Sequence, residues 1–124
     1  MANDASVRET TRLISSDKVE GTAVRRSNGE KVGTIEHVML DKHTGRIAYA
    51  AMSFGGFLGM GEEYRALPWT ALRYNERLDA YELNVSDDQL RNAPVASSDF
   101  FTTGMADRRW EDDIHRHYRV APYW

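Results

Sequence analysis

Between Val19 and Trp69 the chain repeats one theme, a short run rich in β-branched and aromatic residues followed by a turn whose glycine has a definite backbone job. Val19 to Arg26 reads as a strand, and Asn28-Gly29 behind it supplies the positive φ angles of a tight hairpin turn. Lys31 to Asp41 follows with apolar residues at Val32, Ile35, Val38 and Leu40. That spacing changes phase between Ile35 and Val38, as a strand does at a bulge or sharp bend. Gly33 has no Cβ and so allows strong coiling or the close approach of another backbone. Bends of this kind are what curling a sheet into a small barrel requires.

After Asp41 to Gly45, a second turn, the stretch Arg46 to Phe54 offers no polar face, which predicts a strand covered on both sides. Residues 55 to 61 hold four glycines around Phe57, Leu58 and Met60. Tyr64 to Trp69 resumes extended structure, with Pro68 ending the strand or placing it at an edge. Tyr81, Leu83 and Val85 alternate with Ala80, Glu82 and Asn84, the pattern of a half-buried antiparallel strand. Ser86 is a helix N-cap followed by early acids, but Pro94 limits that helix to little more than a turn. Trp110, Ile114 and Tyr118 recur every four residues, with Asp112 and Arg116 at pairing distance, so Asp107 to Arg119 reads as an amphipathic helix. The expected division is a flexible arm over residues 1–14, a barrel-like domain over 15–95, and a linker with a helical tail over 96–124.

Composition narrows the function. With 124 residues there is room for one domain and appendages. No cysteine is present, which removes disulfides, thiolate metal sites and thiol nucleophiles and fits a reducing cytoplasm. No window approaches the roughly 20 apolar residues of a membrane span, so membrane insertion is not expected. The net charge of −3 is made of interspersed acids and bases, without the basic footprint that phosphate neutralisation needs. Direct nucleic-acid binding is therefore disfavoured.

The motifs fall in a recognisable order: Val19-Glu20-Gly21-Thr22-Ala23-Val24, Asn28 to Ile35, the Asp41 to Gly45 turn, Phe54 to Glu62, and Leu67-Pro68-Trp69. Together they resemble a PRC-barrel domain, over about residues 12 to 95. That family includes the cytoplasmic domain of the photosynthetic reaction-centre H subunit and the C-terminal domain of a ribosome maturation factor. The segment from Trp110 to Trp124 resembles tails appended to some free-standing bacterial members. The resemblance implies a mainly β fold, a small, strongly bent and mainly antiparallel barrel with a C-terminal helical tail, acting as a docking or assembly module. It brings no catalytic residues to carry over. The H subunit's membrane helix and the maturation factor's N-terminal domain have no counterpart here, which argues against the roles tied to them.

Chemistry-bearing patterns are sparse. The glycine loop lacks the Lys-Ser/Thr and the following helix of a phosphate cradle. The neighbouring acids Glu62-Glu63, Asp87-Asp88 and Asp112-Asp113 do not make a catalytic dyad, since adjacent strand residues point to opposite faces. His115 and His117 are about 200° apart on a helix. With His37 and His43 they read as surface or hydrogen-bonded histidines rather than metal ligands. No catalytic, metal or cofactor residue is therefore expected, and the chain reads as non-enzymatic. What remains is exposed apolar surface, Phe57, Leu58 and Met60 in the loop and Trp110, Ile114, Tyr118, Tyr123 and Trp124 in the tail. These are candidate interface residues for self-association, as a dimer, or for an unidentified protein partner. The alternative for the tail is packing as core on its own barrel. Two other functions stay open: a ribosome or RNA-processing assembly factor acting through protein contacts, and a small-ligand-binding barrel.

Overall fold

The computed structural model describes residues 9–10, 12–54, 63–93 and 108–124. In chain order the elements are α1 (Ser16–Val19), β1 (Ala23–Arg25), β2 (Lys31–Leu40), β3 (Ile47–Phe54), β4 (Glu63–Pro68), a 3₁₀ turn (Trp69–Ala71), β5 (Arg73–Asn75), β6 (Ala80–Glu82), α2 (Asp87–Arg91) and α3 (Arg108–Tyr118). The six strands form one sheet in the order β4-β3-β2-β1-β6-β5. All neighbours are antiparallel except β1 and β6, which run parallel.

The ladder is open, with β4 and β5 at its edges, yet the sheet is strongly curled. Chain connectivity forces the curl. Laid flat, six strands would hold their outer edges about 24 Å apart. Only Trp69 to Leu72 join β4 to β5. That segment could span about 18 Å at full extension, and three of its four residues are wound into the 3₁₀ turn. The two edges must therefore approach each other. The Trp69 ring reaches Tyr81 on β6, with centroids 5.1 Å apart.

Local chemistry explains most of the bends. The β1–β2 hairpin turns over Ser27 to Gly29, with Gly29 N–H donating to Arg26 O and Arg26 N–H to Glu30 O, both at 2.8 Å. Gly29 has φ +92°, whereas Asn28 is not in the left-handed region. The two-residue turn expected from Asn-Gly is thus a three-residue loop, in which only the glycine needs positive φ. Asn28 instead accepts the Glu30 N–H through its side chain. In β2 the pairing with β3 shifts register between Ile35 and His37, where the apolar phase changes, and again between Met39 and Leu40. A Cβ on Gly33 would run into the carbonyl oxygen of Ser53 and lie 2.9 Å from Met52 Cγ, so the two strands cross there as closely as only glycine permits. At the second turn, Asp41 accepts the backbone N–H of His43 and Gly45 takes φ +77°.

One element departs from the pattern. Val19 does not open a strand but closes α1, which ends where Gly21 takes φ +90° and Thr22 Oγ1 donates to Lys18 O. The strand begins only at Ala23. Val24, Ile35, Tyr49, Met52, Leu67, Leu83 and Leu90 belong to one buried cluster, and the six central residues of β3 are all buried. Ala48, Ala50 and Ala51 leave room for what covers β3.

Candidate interaction surface

Glu111, Ile114, His115 and Tyr118 occupy positions i, i+3, i+4 and i+7 of α3, one continuous stripe, and all four are buried. Ile114 is fully enclosed and joins Tyr118 in the same cluster as Tyr49, Leu67 and Leu90. α3 therefore completes the core of its own chain. Trp110 and Tyr123 are partly buried against that cluster, and Trp124 remains 52 % exposed. On the outer face Arg116 pairs with Asp113 at 3.2 Å rather than with Asp112.

The stripe carries two polar side chains that hold the tail in place. Oε1 of Glu111 accepts the hydroxyl of Tyr49 at 2.9 Å and that of Tyr123 at 2.8 Å, tying β3 to the chain beyond α3. His115 Nδ1 lies 2.6 Å from the carbonyl oxygen of Glu111. A carbonyl only accepts, so Nδ1 carries the proton in this bond. Around this centre the Tyr49 ring meets those of Trp110, His115 and Tyr123 at centroid distances of 5.4 to 5.6 Å. Trp124 stands edge-on to both His115 and Tyr123, at 5.4 and 5.1 Å. Offset and edge-to-face contacts of this kind add about 0.5–1.5 kcal/mol each beyond area burial. The Tyr118 hydroxyl is buried with no hydrogen-bond partner among the described residues, and burial pushes its pKa up.

Two further clamps fix the frame. Arg65, buried in β4, donates through Nε to Leu90 O at 2.9 Å and through Nη2 to Arg91 O at 3.2 Å, capping the last carbonyls of α2 with a cation. His117 Nε2 reaches Gln89 O at 2.8 Å, joining α3 to α2. At the other end of α2, Ser86 Oγ accepts the Gln89 N–H, and Arg26 pairs with Asp87 at 2.6 Å. That cation holds the Asp87 carboxyl below its ordinary pKa.

The structure thus separates the expected interface residues. Ile114 and Tyr118 face the protein's own core, Trp110 and Tyr123 sit at its margin, and Trp124 projects into solvent from a stacked base. Phe57, Leu58 and Met60 lie outside the described residues. Glu111 escaped the sequence reading because the apolar period marks only Trp110, Ile114 and Tyr118, and His115, expected as a surface or hydrogen-bonded histidine, is the hydrogen-bonded kind but buried on the same stripe. Projecting the helix at i+3 and i+4 would have placed both on the buried face. His37 is exposed and lies 3.9 Å from Glu20. Among the described residues no three His, Asp or Glu side chains converge as metal ligands, and no helix is long and apolar enough to cross a membrane.

Residues 12–90 match the family model for the PRC-barrel domain. No curated protein matches the chain.

Proposed function

Since the chain belongs to the PRC-barrel family over more than half its length, we propose that it is a non-enzymatic interaction module that self-associates as a dimer in the cytoplasm. The observation that supports this reading is the posture of Trp124. Its ring is half exposed but braced edge-on by His115 and Tyr123, which are themselves held through Glu111 to Tyr49 in the central strand. An aromatic anchor fixed before encounter loses little side-chain entropy on binding, and Trp and Tyr dominate the energetics of protein interfaces. The loop bearing Phe57, Leu58 and Met60 is the second candidate contact.

Light scattering on a sizing column, across a concentration series, tests the reading. The full chain should run as a dimer, with Trp124→Ala or Leu58→Asp shifting it towards monomer while the chain remains folded. A monomer at every concentration, or a dimer indifferent to both substitutions, would overturn it. Cutting the chain before α3 is a poor test, because it removes Ile114 and Tyr118 from the core.

A further inference from the structure

A cleft is lined by Glu9, Ile14 and the α1 region on one side and by Tyr74 of β5 and Tyr81 of β6 on the other. Two adjoining cavities of about 340 and 100 Å³ share Glu9, Ile14 and Tyr74 in their walls, and Tyr81 lines the smaller one. Tyr74 is 40 % exposed, stands edge-on to Tyr81 with centroids 5.3 Å apart, and donates its hydroxyl to Asp79 at 2.6 Å. The phenol is thereby pinned, and its ring is presented as a fixed wall. Glu9, Asp17, Glu20 and Asp79 bring carboxylates to the walls of the larger cavity, where Lys18 contributes an ammonium that pairs with Glu9. Arg12 lines the smaller cavity only.

We propose that this cleft binds an alkylammonium group, a primary amine carried on a methylene chain. Its walls match that chemistry in two ways. The apolar stem has Ile14 and the tyrosine rings to lie along, and an ammonium near an aromatic face and a carboxylate gains from both. Lys18 is an internal precedent, a methylene chain whose ammonium already sits against Glu9 in the same cleft. Its pKa is raised by the Glu9 hydrogen bond, with the field of Asp79 adding to it. The two cavities also exclude the simplest competitor. Their carboxylates do not converge at metal-ligand spacing. A compact divalent ion therefore lacks a cage, whereas an extended amine can reach separated acids in turn. A lysine side chain of a partner protein and a free polyamine share this chemistry.

Amide chemical-shift titration of the full chain with spermidine, and separately with a short lysine-containing peptide capped at both ends, tests the proposal. Saturable shifts should centre on Gly21, Thr22, Tyr74 and Asp79. Affinity should fall roughly fivefold in Tyr74→Ala, about the value of one exposed cation–π contact, and fall again in Asp79→Asn. Asparagine tolerates the φ of +50° at that position, so the second variant separates charge from folding. Tighter binding of spermidine assigns the free amine, and tighter binding of the peptide assigns a protein lysine. The proposal is overturned by an absence of saturable shifts for both, by unchanged affinity in both variants, or by magnesium producing the same shifts at the same concentration.

Discussion

The hydroxyls of Tyr49 and Tyr123 converge on a single oxygen, Oε1 of Glu111, although the first belongs to the central strand and the second follows the last helix. Neither tyrosine touches the acceptor through local sequence. The bond pair is a tertiary staple whose loss should be felt at both ends.

Glu111→Ala removes the shared acceptor from two phenols, one of them almost wholly buried. Stability should fall by about 2–3 kcal/mol, since depriving a buried donor of its acceptor costs more than a hydrogen bond contributes on average. Urea unfolding of Glu111→Ala, of the double variant Tyr49→Phe and Tyr123→Phe, and of the triple variant checks it. Additive losses would show that the three groups do not act together.

Ile114 and Trp124 lie ten positions apart in the same tail but should behave as different kinds of residue. Ile114→Ala opens a cavity in the core and should cost about 2–4 kcal/mol. Trp124→Ala strips a half-exposed ring without opening a cavity and should cost less, about 1 kcal/mol, chiefly its two edge-on contacts. Thermal or urea melts of the two variants make the comparison, and equal losses would contradict the division between core and surface.

Gly33→Ala should destabilise by about 1–3 kcal/mol, because the new methyl meets the Ser53 backbone rather than a side chain that could turn away. Gly33 does not adopt positive φ, so the effect would come from crowding alone. Relief by Met52→Ala would be partial, since the Ser53 carbonyl stays in place.

Three surface carboxyls, Asp41 and Glu82 partly buried and Asp87 exposed, set an acid limit. Asp87 is held below its ordinary 3.8 by the Arg26 hydrogen bond, Asp41 by the backbone N–H of His43, and Glu82 below its ordinary 4.5 by the Asn84 and Asn75 amides. A carboxyl whose folded pKa is depressed binds fewer protons folded than unfolded in the window between the two values. Its contribution is complete above the unfolded pKa and disappears as pH falls through the folded one. Melting temperature should therefore decline below about pH 4.5 on account of these groups. Asp87→Asn should melt lower than the parent at pH 7, with the gap narrowing as pH falls below 3.8; parallel curves would refute the assignment.

The contrast between what could be read from residues and what could not is instructive at particular places. The register shift near Ile35, the close crossing at Gly33, the two-sided burial of β3 and the single turn of α2 are consequences of local pattern, and each is where the pattern puts it. The parallel contact of Val24 with Tyr81 is not local, and no turn residue announces it. Nor does sequence reveal that Arg65, ordinary at a strand position, is buried because it caps α2. The helical tail was legible as a helix from Trp110, Ile114 and Tyr118. The surface it would meet was not, because an apolar face is equally suited to its own core and to another molecule.

The four-residue tether from Trp69 to Leu72 has a consequence for how the sheet can come apart. An open sheet ordinarily loosens from either margin independently, each outer strand fraying on its own. Here the margins are consecutive in the chain, and the Trp69 ring is lodged against Tyr81 near the opposite one. Swinging β4 outward tugs on β5 and withdraws that ring, so loosening one side slackens the other. In hydrogen-exchange terms the two outer strands should open as one unit, lending the molecule some of the cooperativity of a closed barrel although its sheet stays open.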